Sequence, residues 1–316
     1  MHCEPKGVRR SRLTLHTQLA ADTFGSGANQ FDVGFVPIGQ PGNAADTTGA
    51  PNPAGSVPYG YRMGAYEVSR DIITKANSAG GLGITMSDMT PYGGNGVNRP
   101  ATGVSWYEAA KLVNWLNTST GHQPAYNLSG ASLSLWPSAD AWQAGGENLY
   151  RHKDAYYFLP SENEWYKAAY YSPAGVYYNY PTGSDSAPGA VAGGTGAGTA
   201  VYGHPLSHGP ADIGSAGGLS PYGTMGQGGN VWEWMESAFD LVNDSGSEDR
   251  GVRGGYWGGP ALYLGSSYRY FIGVVPSFEN ESLGFRVAAV PEPLESAGVI
   301  GLAALGFALW RRRGSL

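Results

Sequence analysis

About one residue in six of this 316-residue chain is glycine, 50 in all, while charged residues make up only 14%. Soluble domains typically carry about 7% glycine and about 25% charged residues. Glycine reaches positive φ angles that a Cβ forbids, and it weakens helices and strands because it loses more freedom on folding. The chain is therefore expected to follow an irregular path with many turns and few long elements. Hydrophobic residues at 41%, with 9 Trp and 21 Tyr, supply enough apolar surface to offset the entropy of ordering that path. The length allows one large domain or two small ones. No linker divides two apolar regions and no repeat of fixed period occurs, so a single domain over residues 23–289 is expected. Residues 183–200, GSDSAPGAVAGGTGAGTA, contain no large side chain to bury and read as a mobile surface loop.

The net charge of −6 and a pI near 5.5 are the wrong sign for a polyphosphate partner, and aromatics never interleave with a Lys or Arg run. Nucleic acid is excluded as a partner. The single cysteine, Cys3, rules out an intrachain disulfide and every metal site built on two thiolates. Packing must hold the domain together, alone or with an oxygen-bound ion.

Three helices are marked by their caps. Ser105 and Glu108 form an S-x-x-E capping box, after which Ala109, Leu112, Val113 and Leu116 recur at helical spacing. Ser161 and Glu164 repeat the device behind Pro160, with Trp165, Ala168 and Ala169 as the inner face. Ser69 caps a third helix through Ile72, Ile73 and Ala76. Elsewhere, short apolar pairs between Gly, Pro, Asn and Ser indicate loops and short strands.

Six blocks stand in order: FVPIGQPGNAAD, RPATGVSWYEAAKLVNWL from Arg99, YFLPSENEWYKAAYY from Tyr157, GGNVWEW from Gly228, RGGYW from Arg253 and GFRVA from Gly284. Together they resemble the formylglycine-generating-enzyme, or sulfatase-modifying-factor, domain family over about 260 residues. The resemblance implies one α+β domain, similar to C-type lectins, with little regular secondary structure.

Within GGNVWEW, Glu233 lies between Trp232 and Trp234, where an unpaired carboxylate would be costly. It needs a partner, either an arginine such as Arg253 or Arg286 or a bound cation. Calcium suits carboxylate and carbonyl oxygens, and glycine-rich turns present carbonyls readily. The resemblance implies a calcium site formed by the carbonyls of Gly226, Gly229 and Val231 with the Glu233 side chain. A second calcium site of the family is not carried over, because Val201 stands where a side-chain ligand is expected.

The family's oxidase holds copper(I) on two cysteines after its RGGSW-like motif. Here Gly259 and Leu264 occupy those positions roughly, so copper is not expected and no catalytic residue is assigned. Sulfoxide synthases that share the domain carry iron on histidines of a further helical domain, for which there is no room before Thr23. His204 and His208 form H-x-x-x-H, but Pro205 between them argues against a helix and hence against a zinc pair. Tyr256, Trp257, Tyr268 and Arg269 are the candidates for a ligand groove, since aromatic faces and an arginine suit a sugar or a peptide; packing in core and rim is the alternative.

The tail reads VPEP at 290–293, an apolar run at 297–310, then Arg311, Arg312 and Arg313. At about 1.5 Å per residue the run is shorter than the roughly 30 Å bilayer core, while the terminal arginines favour a membrane segment with the domain outside the cytoplasm. This order resembles the PEP-CTERM sorting signal of exported envelope proteins, which implies export, an exosortase-type partner and cleavage near Pro291-Glu292-Pro293; an envelope glycan or exopolysaccharide is a candidate partner. The first 22 residues contain no signal-peptide core of seven apolar residues, so a start misplaced relative to the native one is expected. The function read from all this is an exported, envelope-associated, non-catalytic binding or structural domain. The alternatives are a divergent formylglycine-type oxidase or other oxidoreductase, and a lectin-like carbohydrate- or protein-binding module.

Overall fold

Serine starts each α-helix among the described residues, which are 20–270 and 272–291 of a computed structural model. Ser69 accepts from the Ile72 N–H at the head of α1 (Arg70–Gly80). Complete capping boxes, Ser105 with Glu108 and Ser161 with Glu164, open α2 (Trp106–Ser119) and α3 (Glu162–Tyr170). Each box satisfies two N–H groups that the first helical turn leaves without intrahelical partners. Ala109, Leu112, Val113 and Leu116 of α2, and Trp165, Ala168 and Ala169 of α3, are all fully buried, as their spacing predicts.

The strands are short. Those of the two larger sheets are β1 (Ala20–Phe24), β2 (Phe31–Ile38), β3 (Tyr61–Gly64), β4 (Tyr157–Phe158), β5 (Trp232–Ala238), β6 (Arg250–Arg253), β7 (Leu283–Gly284) and β8 (Ala288–Ala289). One antiparallel sheet has the order β1-β2-β3-β8-β4, so the last strand inserts between β3 and β4 and draws the two ends of the domain together. A second sheet places β5 between β6, antiparallel, and β7, parallel. The domain start expected at Thr23 falls inside β1, where Asp22 accepts from Arg62 of β3 at 2.7 and 3.0 Å. The apolar run and arginines of the tail, and the basic N-terminal stretch, lie outside the described residues. Among the described residues no helix is long and apolar enough to cross a membrane.

Residues 183–200, expected as a mobile loop, are tied down through their backbone instead. Gly189–Ala190 pairs in parallel with Thr199–Ala200, and the Gly218 N–H donates to the Thr199 carbonyl at 2.8 Å. Gly217 and Gly218 allow that approach, because a Cβ on either would lie within 3 Å of the opposing backbone. Glycine thus acts here as a packing residue rather than a source of slack.

Gly229 shows the same logic where it matters most. Its φ is +82°, a Cβ would lie 2.2 Å from the Val201 carbonyl oxygen, and that oxygen accepts the Asn230 N–H at 2.8 Å. Gly229→Ala is therefore expected to destabilise the fold by about 3 kcal/mol or more, read as a drop in denaturation midpoint. Gly214→Ala, where a Cβ meets nothing within 4 Å, should change it little.

Candidate functional site

β5 alternates. Trp232 and Trp234 face the core built on α2, where the Trp234 indole N–H donates to the Val104 carbonyl at 2.9 Å. Glu233 and Met235 face α3, as a period of two requires. Glu233 is fully buried and its partner is Arg286: Nε donates to Oε2 and Nη2 to Oε1, both at 2.6 Å. The Trp165 indole adds a third bond to Oε2 at 2.7 Å. Arg286 spends its remaining donors on the carbonyls of Gly64 and Met225, each at 2.9 Å.

Of the two kinds of partner that the sequence leaves open, the geometry supplies the arginine, and it is Arg286 rather than Arg253. Gly226 and Gly229 lie on the loop entering β5 with φ of +80° and +82°, and Val231 is buried beside them. The Arg286 guanidinium holds both oxygens of Glu233, and the carbonyls that converge on it are those of Gly64 and Met225, so Glu233 is neutralised here by an arginine rather than by a calcium ion. A divalent ion there would face a fixed positive charge across a shared carboxylate.

The sequence reading missed Glu67, which lies against this cluster and is 1% exposed. Its Oε2 accepts from Asn230 at 2.7 Å, while Oε1 is buried without a partner. A Cβ on Gly226 would come within 2.9 Å of this carboxyl. Burial, with the nearby Glu233 charge, pushes the Glu67 carboxyl well above the usual range, against the pull of Arg286.

At its Trp232 end, the core-facing side of β5 also borders a cavity. Trp232, only 6% exposed, forms the floor of a cavity of about 270 Å³ that is also lined by Tyr256, Tyr263, Tyr270, Asn280 and Ser282. Four tyrosine rings, of Tyr256, Tyr263, Tyr268 and Tyr270, stand 5.2–6.3 Å from the Trp232 ring. The indole N–H groups of Trp106, Trp165, Trp234 and Trp257 are each spent on a carbonyl or carboxylate. That of Trp232 donates to no described residue. Among the described residues no Asp, Glu, Lys, Arg or His lines the cavity.

The four groove residues expected from sequence divide. Tyr256 lines the cavity, and Tyr268 packs on Trp232 and Tyr263. Trp257 is fully buried, its indole N–H bonded to the Leu206 carbonyl at 3.1 Å. Arg269 turns inward, donating to Glu162 at 3.0 Å and to the Phe239 carbonyl. Arg253 meets the other oxygen of Glu162. The arginine that was to give the groove its charge is thus a structural cation, because a buried Glu162 shared by two guanidinium groups outcompetes solvent. Trp232, Tyr263 and Tyr270 were missed. Trp232 reads as core from its motif, and only the three-dimensional path brings Tyr263 and Tyr270 beside it.

Tyrosine rings also occupy the space near the family's thiol positions. A Cβ on Gly259 would lie 2.7 Å from the Tyr263 ring and 3.1 Å from that of Tyr256, and Leu264 is fully buried. His204 precedes and His208 ends a 3-10 turn, Leu206–His208, and their rings stack at 5.0 Å. Among the described residues no three His, Cys, Asp or Glu side chains converge as a metal site would require.

The fold, the GGNVWEW turn and the RGG and GFR strands define a domain class that the sequence comparison identifies. The chain belongs to the sulfatase-modifying factor enzyme 1-like domain family, whose profile matches residues 31–290. Its structure is similar to that of Treponema denticola variable protein 1, at TM-score 0.57 and 20% identity, covering 87% of this chain and 100% of that one. It is also similar to CarF, at TM-score 0.58 and 19% identity, covering 82% and 99% of the two chains. PvdO from Pseudomonas aeruginosa aligns with TM-score 0.53 and 17% identity, over 85% of this chain and 98% of its own. At these identities the likeness is one of fold. No protein of curated function matches the chain.

The Glu233 cluster makes a sharp demand on stability. Removing one member of a buried pair typically costs about 3–5 kcal/mol, since the survivor is left uncompensated. Glu233→Gln should melt at a markedly lower temperature than the wild type. EDTA should leave the melting temperature of both unchanged, which calcium held on Glu233 would not allow.

Proposed function

We propose that this protein is an exported, envelope-associated, non-catalytic binding domain, whose Trp232 pocket holds an uncharged sugar unit of an envelope glycan or exopolysaccharide. The observation that carries this reading is the pocket's chemistry: a bowl of aromatic rings and, among the described residues, an indole N–H with no partner and no ionisable side chain in the lining apart from the tyrosines. Pyranose rings offer C–H faces that pack on aromatic rings and hydroxyl groups that accept from an indole or phenol, so neutral donors and flat apolar walls suit them. A formylglycine-type oxidase would need a thiolate pair, and the sequence has a single cysteine.

A protein ligand is the second reading, favoured by one observation. Leu262, Ile272, Val275 and Phe278, on the segments that wall the pocket, are 60%, 51%, 51% and 44% exposed, an apolar rim suited to a partner that inserts a side chain.

A glycan array probed with the purified protein separates the two readings, and saturable binding to a neutral saccharide is expected. Trp232→Ala should weaken it about tenfold or more, roughly 1.4 kcal/mol, and Tyr263→Ser, at a residue only partly buried against the core, should weaken it measurably with less disturbance of the fold. Incubation with copper, oxygen and a sulfatase-type cysteine peptide should yield no aldehyde by mass spectrometry. Turnover above a no-protein control would overturn the non-catalytic reading, and an empty array would favour the protein ligand.

The envelope part of the proposal rests on the tail, where an exosortase-type enzyme would act at Pro291-Glu292-Pro293. A reporter fused to residues 288–316 is expected to fractionate with the envelope in a host that has the sorting enzyme. Replacing Arg311, Arg312 and Arg313 by Ser should abolish that sorting; unchanged fractionation would sink the assignment.

A further inference from the structure

A second concavity shares no lining residue with the Trp232 pocket. The rings of Tyr59 and Trp142 meet edge to face with centroids 5.3 Å apart, and two cavities, each of about 240 Å³, use this pair as a common wall. One is almost wholly apolar, closed by Phe158, Val290 and Pro291. The other is polar, reaching Glu147, Asn148, Arg151 and Asn163.

Beneath the aromatic pair lies a buried charge cluster that is out of balance. The Arg151 guanidinium donates to Glu164 at 2.9 and 3.0 Å and to Glu236 at 2.6 and 2.8 Å. It lies 5.2 Å from the Trp142 ring and 3.7 Å from the Phe158 ring. Three carboxylates, of Glu147 at the rim and Glu164 and Glu236 below, thus face one guanidinium. Burial pushes the Glu236 carboxyl up, against the pull of Arg151. Even with Glu236 protonated, Glu147 and Glu164 outnumber Arg151, and a low-dielectric floor transmits that excess into the cleft.

The hydrogen-bonding capacity of the cleft is largely consumed. The Tyr59 hydroxyl donates to Glu164 at 2.7 Å, Asn148 donates to Glu236 at 2.6 Å and accepts from Asn243 at 2.7 Å, and the Trp142 indole donates to the Ala144 carbonyl at 2.9 Å. A primary ammonium brings three donors and, beyond the rim carboxylate of Glu147, would find few free acceptors beside the aromatic pair. A quaternary ammonium brings none and is held by aromatic faces and negative potential alone. We propose that the Tyr59–Trp142 cleft binds a quaternary ammonium group, as in a choline-type headgroup.

Calorimetric titration of the full-length protein with choline, with its neutral carbon isostere 3,3-dimethylbutan-1-ol and with n-butylammonium tests this. Choline is expected to bind about tenfold tighter than the isostere, and more tightly than butylammonium. Trp142→Ala should abolish the difference. Because Trp142 also packs on Arg151, the exposed Glu147→Lys serves as a second variant and should weaken choline while sparing the isostere. Equal binding of choline and isostere, or choline binding that survives both variants, would overturn the proposal. So would butylammonium matching choline, or no saturable choline binding. None of these outcomes bears on the Trp232 pocket, whose glycan readout is separate.

Discussion

The bidentate pair of Glu233 and Arg286 is the constraint around which the irregular part of this molecule is arranged. It joins the central strand β5 to the segment after β7, and through Arg286 it fixes the carbonyls of Gly64 and Met225. In a domain whose strands are mostly two to five residues long, ladders alone define few long-range distances. Fully buried ion pairs gain little net energy against well-packed apolar groups, yet they are unforgiving of misplacement, because a displaced charge has no solvent to fall back on. Their contribution here is read as register rather than raw stability.

Helix α3 distributes that constraint. Nine residues long and started by a capping box, it carries Glu162 to Arg253 and Arg269, Glu164 to Arg151, and the Trp165 indole to Glu233. One short helix thus enters three buried charge clusters. Burial alone would raise the Glu164 carboxyl, but Arg151 and the Ser161 N–H hold it below its ordinary value. The same glutamate that completes the cap is therefore the one that anchors Arg151, and helix start and tertiary contact are fixed by a single side chain.

Legibility in the sequence follows this division of labour. Caps and helical faces were readable because their partners lie three or four residues away, and Glu233's need for a partner was readable from its flanking tryptophans. The identity of that partner was not, since Arg286 is 53 positions distant and Arg253 fitted the local reasoning equally well. Arg269 beside Tyr268 looked like a groove residue because adjacency in sequence suggests a shared surface. In the structure the two side chains diverge, one to Trp232 and the other to Glu162. The glycine-rich stretch at 183–200 was misjudged for a related reason: composition reports missing side chains, while order there comes from backbone bonds between segments.

The pocket is a by-product of the same arrangement. Because β5 alternates, directing Glu233 at α3 obliges Trp232 to face the opposite way, toward Tyr256, Tyr263, Tyr268 and Tyr270. Because Glu162 draws Arg253 and Arg269 inward, the wall between β6 and β7 is left with aromatic rings and no cation. The charge clusters thus set the pocket's chemistry from behind: they take the arginines of the RGGYW region out of reach of a ligand and leave the faces exposed. Changes among the tyrosines can therefore alter what the pocket accepts without disturbing the ion pairs that hold its floor in place.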